Sequence, residues 1–366
     1  MGQVYSAFPP VQGRFEPSLA NERDIVSALH NAYRIGREEP GPAASSWKLG
    51  WQKSLTTRSW ERDQAPLARC THFLGKARES AARGEIDSSC RLFGEARFWS
   101  QQPELSEEGR LLCKLELAAA EAYLDYFCND FERARTRLQE SMDADQELED
   151  RFGYHLLHVH RIHLVNNRVK VEARAQDMPG AMDLAASIYL YLLRQTDSLP
   201  VPGKWGAGYM ERLPVEALQF LCGQLTGEVA AALAGFSQSS AQNVFQLLVQ
   251  RVNCETPNQS WHPDAQRWLQ LKALWAREEL LPQYLDRCIS YFTQGPRGGA
   301  VLWYLTALDV IKVCESLYGA KVSGFKQEVL AAANQIPSFS RHVRAVLGLM
   351  EADFKRLPAG SATTPA

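Results

Sequence analysis

What this 366-residue sequence lacks narrows it before any motif is read. No two of its cysteines are spaced C-x-x-C. The eight (Cys70, Cys90, Cys113, Cys128, Cys222, Cys254, Cys288, Cys314) lie far apart, which argues against a zinc knuckle or a thioredoxin-type redox centre. Most fall inside apolar helical pattern as small core residues, and a reducing, cytoplasmic setting is the expectation. Neither sign of charge is in excess. Forty basic against 42 acidic residues leave −2, so no basic surplus points to nucleic acid. No apolar run approaches the ~18–20 residues of a membrane-spanning helix; the richest stretch, 227–236, is shorter and holds Glu228. The first residues lack the basic head and apolar middle of a secretory signal. Also missing are G-x-S-x-G, a Walker glycine loop, G-x-G-x-x-G after a strand, and H-E-x-x-H, so no cofactor is expected. The remaining composition, 45% hydrophobic and 22% charged, is that of a folded globular chain and excludes a low-complexity one.

What is present is helical periodicity. From Pro66 to Leu199 apolar residues recur at spacings of three and four, and strand-like alternation is missing. Three turn-like anchors interrupt the pattern at Gly84, Asn129 and Gln176. Each is followed by an acidic residue (Glu85, Asp130, Asp177) and then an apolar one (Ile86, Phe131, Met178). Four residues beyond each acid stands a small side chain: Ser89, Ala134 or Ala181. Such residues belong where two helices approach most closely. A recurring unit of this size is the signature of stacked helical hairpins.

The run Arg83-Gly84-Glu85-Ile86-Asp87-Ser88-Ser89, with Phe93, Ala96 and Pro103, resembles the helix–turn–helix core of the tetratricopeptide repeat (TPR). Leu74-Gly75 stands near that family's Leu-Gly. Asn129 to Ala134 with Leu138 is similar to the same core again, and Asp177 to Ala181 with Ala185 and Ile188 is a third copy. The units are longer than the usual repeat of that family, because their helices are longer. The resemblance implies an all-α fold over 66–199, a right-handed stack of antiparallel hairpins whose first helices line a concave face. It also implies a non-catalytic scaffold or adaptor that docks a partner protein or peptide on that face.

Around this core, residues 1–65 read as an arm, a helix from about Asn21 to Gly36, and a segment with Trp47, Trp51 and Trp60. The plainer assignment for those indoles is a groove-filling plug; the sharper one is an exposed partner patch. Residues 200–213 read as a linker loop on their Pro and Gly content. Residues 214–357 read as further helices, among them Val215–Cys222, Gly227–Ala234 and Pro263–Leu281, and 358–366 as a disordered tail. Gly2 followed by Ser6 matches the N-myristoylation pattern, which would give membrane contact, although a single acyl chain anchors only marginally.

Half of the eight histidines fall in one short stretch: His155, His158, His160 and His163. Histidine is the commonest metal ligand. On a helix at 100° per residue, however, the four spread over an arc of about 200°, and Glu-x-x-His is absent. Three readings stay open: semi-polar positions of a partly buried helix, a metal or enzyme site, and a pH-sensitive surface. The same helix continues through Arg161, Asn166, Asn167, Arg168, Lys170 and Arg174, with Glu172 as its only acid. On the concave face such a strip would attract an acidic segment. Asn167 matches one position of the family's clamp for chaperone tails, but Ala119 and Tyr123 stand where the preceding repeat would supply its partners. His155, His158, Asn167, Arg168, Lys170 and Arg174 are therefore the candidate partner-binding residues, with no catalytic residue and no metal ligand assigned.

Overall fold

The computed structural model describes residues 22–38, 61–255, 258–296, 300–336, 339 and 341–349. Trp47, Trp51, Trp60, Gly2 and the 358–366 tail lie outside them. The helices are α1 (Glu22–Glu38), α2 (Glu61–Arg83), α3 (Ile86–Ser100), α4 (Glu107–Phe127), α5 (Phe131–Phe152), α6 (Leu157–Arg174) and α7 (Met178–Leu192). A single turn at Ala207–Met210 precedes α8 (Val215–Ala234), α9 (Gln238–Arg251), α10 (Pro263–Trp275), α11 (Leu281–Thr293), α12 (Ala300–Tyr318), α13 (Ser323–Asn334) and α14 (Arg341–Val346). Among the described residues there is no strand, and the fold class is all-α.

The three anchors build one turn three times. Gly84, Asn129 and Gln176 have φ of 81°, 61° and 69°. Behind each, the amide of the residue that follows it reaches back to an earlier carbonyl: Glu85 N to Ser80 O at 2.9 Å, Asp130 N to Asp125 O at 2.9 Å, Asp177 N to Glu172 O at 3.0 Å. A second amide closes the inner ring, from Gly84 N to Ala81 O, Asn129 N to Tyr126 O and Gln176 N to Ala173 O. This is the Schellman stop, which satisfies carbonyls that a helix end leaves orphaned. The same residue then starts the next helix. Glu85, Asp130 and Asp177 adopt φ/ψ of −83°/67°, −86°/76° and −89°/69°. The Asp130 and Asp177 carboxylates accept from the Arg133 and Gly180 amides as N-caps. One turn of helix later, Ser89, Ala134 and Ala181 are each fully buried, and Ser89 Oγ donates to Ala77 O across the hairpin. Arg194, with φ 59°, repeats the stop after α7.

Those turns pair α2 with α3, α4 with α5, and α6 with α7. Successive pairs join through α2 and α3 against α4, and through α5 against α6; α8 then packs on α6 and α7, and α9 on α7. Residues 200–213 do not interrupt the core. Leu199, Val201, Met210 and Leu213 are buried in the same apolar cluster as α6, α7 and α8. The segment is pinned by Trp205 Nε1 donating to Val201 O and by a Lys204–Asp150 ion pair. The helices α5 to α7 before this segment and α8 after it therefore share one core, while α2 and α3 pack with α4 in a cluster of their own.

Several sequence expectations need correcting. Val215–Cys222 and Gly227–Ala234 are one helix, α8. Gly223 and Gly227 each cost about 1 kcal/mol relative to Ala in a helix, and burial of Leu218, Leu221, Leu225, Val229 and Leu233 outweighs that. A Cβ at Gly223 would meet the His262 ring at 3.4 Å, an ordinary van der Waals contact, so the close packing of α8 does not itself demand glycine there. This helix has the length and apolar character of a membrane span, which Gly223, Gly227 and Glu228 conceal in the sequence. In the structure 61% of its apolar window is buried, against α6, α7, α10, α12 and neighbours. The stretch 263–281 divides at Trp275, and α11 restarts at Leu281 with Pro282 in its first turn, where a missing N–H costs nothing. Helix α1, whose partner the sequence left unassigned, docks on α11 and α12, near the other end of the chain.

Candidate functional site

The histidine cluster opens α6, and each imidazole meets a different neighbour. His158 is fully buried. Its Nδ1 accepts from Arg161 Nη2 at 2.6 Å, and Nε2 lies 2.9 Å from Tyr191 Oη on α7. A guanidinium can only donate, so Nδ1 is bare, the neutral ring carries its proton on Nε2, and that N–H donates to Tyr191. Tyr191 Oη also accepts from the Gly206 amide at 3.1 Å. The His158 ring stacks on Tyr209 at 5.1 Å and faces Trp205 at 5.7 Å. Burial, reinforced by the Arg161 charge, pushes the His158 pKa down to about 3.

Arg161 is 1% exposed and donates to Glu149 Oε2 of α5 at 2.5 Å. Its guanidinium lies over Tyr209 at 5.2 Å and Trp205 at 5.7 Å, so the aromatic faces cover the side of the cation that Glu149 and His158 leave. Burial holds the Glu149 carboxyl above its ordinary value, against the pull of Arg161. His160 points elsewhere, with Nδ1 2.8 Å from the buried Asp145 of α5. Burial acts to lower the His160 pKa, but the Asp145 carboxylate outweighs it and the ring is held above its ordinary value. His155 lies 3.2 Å from Arg212, and His163 2.8 Å from Gln224 of α8. His160 and His163 remain neighbours, with ring centroids 6.1 Å apart, but the four imidazoles do not converge on one point. Among the described residues no group of three or more His, Cys, Asp or Glu is placed to hold a metal ion.

The basic strip loses most of its free charge to acids on neighbouring helices and to Glu172 on α6 itself. Arg161 has Glu149, Lys170 Nζ lies 2.8 Å from Glu228 of α8, and Arg168 Nε lies 3.2 Å from Glu172. Glu172 is shared with Arg135 of α5, whose Nη2 is 2.5 Å away. Counting acids along α6 alone misses Glu149 and Glu228, which sit on helices packed against it.

A narrower surface survives. His163, Asn167, Lys170 and Arg174 fall at about 0°, 40°, 340° and 20° around α6, one stripe. Asn167 Nδ2 lies 3.2 Å from His163 Nε2, which ties the first two members of the stripe together. At its end the Arg174 guanidinium covers the Tyr126 and Phe127 rings of α4 at 4.6 and 5.7 Å and reaches Asn129 Oδ1 at 3.2 Å. Tyr123, one turn earlier on α4, is 38% exposed and edge-on to Phe127 at 4.7 Å. On the other side stand Gln224 and Glu228 of α8. Polar and aromatic side chains from α4, α6 and α8 thus adjoin one another.

Of the six candidates, Asn167, Lys170 and Arg174 share this stripe. Arg168 faces Glu172 and α5, His155 lies beyond the start of α6, and His158 is inside the core and offers nothing to a docking partner. Tyr123, Tyr126, Phe127, Gln224 and Glu228 join the surface without being among the candidates. Of these, Tyr123 figures in the sequence only as an obstacle to the clamp, and the aromatic run 123–127 is the signal that marks it. No protein-family profile, no curated protein and no solved structure matches this chain, and what bears on its function is this geometry.

Proposed function

We propose that the chain is a non-catalytic scaffold of TPR-like type. In this reading the hairpins α2/α3, α4/α5, α6/α7 and α8/α9 form a right-handed stack, and a partner segment docks along α4, α6 and α8. The observation that carries it is the threefold recurrence of one turn, with the same backbone angles, the same pair of back-reaching hydrogen bonds and a fully buried small residue four places on. Units that turn alike pair their two helices alike, and stacked first helices would leave a continuous face for a partner. The face mixes Tyr123, Asn167 and Gln224 with Lys170, Glu228 and Arg174. It suits an extended peptide read through hydrogen bonds and one aromatic contact. Arg174, held by rings and an amide rather than by a carboxylate, is where an acidic residue of that peptide would dock.

The test is affinity capture with the full chain, compared with a Tyr123→Ala/Asn167→Ala/Arg174→Ala variant. All three side chains are partly exposed, so melting should be little changed. Partners retained by the wild type should be lost by the variant. If the same proteins are retained in the same amounts by both, this face is not the docking surface.

A further inference from the structure

Helix α1 is an amphipathic segment whose principal partners lie at the far end of the chain. Val26, Leu29, Ala32, Tyr33 and Gly36 line one face, and all five are buried. Tyr33 stacks on Trp303 of α12 at 4.6 Å and meets Phe292 of α11 and Phe325 of α13 edge-on at 6.3 and 5.5 Å. At Gly36 the helices approach so closely that a Cβ would collide with the Phe292 carbonyl.

A basic edge flanks this apolar face: His30, Arg34 and Arg37, at spacings of four and three, converge on one carboxylate of α13. Glu328 lies 2.7 Å from His30 Nε2, accepts from Arg34 Nε at 2.9 Å, and stands 3.2 Å from Arg37 Nη1. The seat runs on past Arg37 into an open groove of about 530 Å³ lined by Tyr304, Ala331, Ala332 and Ile336. The stretch 39–60 joins Glu38, the end of α1, to Glu61, the start of α2. At roughly 3.4 Å per residue a connection of that length can span about 75 Å, so it does not itself dictate that α1 stay on this seat. Apart from that covalent link, what retains α1 is surface chemistry: an aromatic anchor, a small residue at the closest approach, and basic residues opposite Glu328.

We propose that the α11–α12–α13 surface is a helix-binding groove, that α1 is its built-in occupant, and that a partner protein's basic amphipathic helix docks there by displacing α1. The partner's pattern follows from the seat: an aromatic at position i, a small residue at i+3, apolar residues at i−4 and i−7, and basic residues at i−3, i+1 and i+4. This groove is separate from the α4–α6–α8 face and stands without it. Because α1 is covalently joined to its seat, it competes intramolecularly, so an incoming helix binds the intact chain more weakly than the seat itself would allow.

A labelled peptide of residues 22–38 tests this on the full chain carrying a protease site inserted at 44–45. Before cutting, the peptide should bind weakly. After cutting, it should replace the released α1 saturably and at least tenfold more tightly. Tyr33→Ala or Gly36→Leu in the peptide should weaken binding tenfold or more. An Arg34→Glu/Arg37→Glu peptide should fail on the cut wild-type chain and regain binding on a cut Glu328→Arg chain. That recovery would also show the altered chain to be folded. If α1 leaves only when the chain denatures, or peptide binding ignores the Glu328 reversal, α1 is an ordinary core element and the proposal falls.

Discussion

Acidification gives the most direct check on the buried network around His158. In the native chain its Nδ1 is occupied by an Arg161 N–H and its ring is sealed by Tyr209 and Trp205. Protonation would set two donors face to face inside the core. The native pKa is about 3 against 6.5 unfolded. Between pH 6.5 and 3 the unfolded chain binds this proton and the native chain does not, so acid favours unfolding. At about 1.36 kcal/mol per unit, the native state loses roughly 2 kcal/mol by pH 5 and about 4 kcal/mol by pH 3 from this group. Glu149 and His160 have raised native values and act in the opposite direction, regaining stability as pH falls. The His158 contribution is therefore isolated as the difference between wild type and His158→Gln. Urea unfolding followed by far-ultraviolet circular dichroism would give both stabilities at each pH from 7.5 to 5. The wild-type advantage should shrink below about pH 6.5 with a slope approaching about 1.4 kcal/mol per unit. A difference that stays constant over that range would mean His158 titrates alike folded and unfolded, and the buried neutral ring would be wrong.

Other expectations rest on separate contacts. Arg161→Met, which leaves Glu149 buried without its cation, should cost about 3–5 kcal/mol, and Glu149→Gln combined with Arg161→Met should cost less than that single change; chemical denaturation at pH 7 measures both. Gln176 holds a left-handed conformation that carries a steric penalty for any side chain, so Gln176→Gly should raise stability by up to about 1 kcal/mol, whereas Gly84→Ala should lower it by a similar amount. Ala181→Leu would force α6 and α7 apart and should cost on the order of 1–3 kcal/mol, read as a fall in the melting temperature. Lys272 and Asp309 form a buried pair 2.9 Å apart with the ammonium over Trp275, and Lys272→Met should cost about 3–5 kcal/mol by the same denaturation assay.

The parts of the molecule that could be read from the chain are those whose cause is local. Gly84, Asn129 and Gln176 could be picked out as stops because a left-handed residue, a following acid and a small residue four places on are all encoded within a few positions. The helical class was legible in the same way, from a period that repeats within a few turns. Boundaries went wrong where local preference met a larger burial term, as in α8, whose glycines suggested a break that its packed apolar face overrides. The candidate surface was half legible. The stripe Asn167, Lys170 and Arg174 follows from spacing, but its neighbours Tyr126, Phe127, Gln224 and Glu228 come from two other helices.

By itself, then, the sequence settled where helices begin and end around the three repeated turns, because backbone angles and capping act over one turn of chain. Only the tertiary structure decided which charges are spent on which partners. Arg161 belongs to Glu149, Lys170 to Glu228, and His158 to the inside of the core. It alone also placed α1, whose seat on α11–α13 is built from side chains near the opposite end of the chain. Electrostatic pairing and burial depend on distance in space, and linear order carries no direct record of that distance.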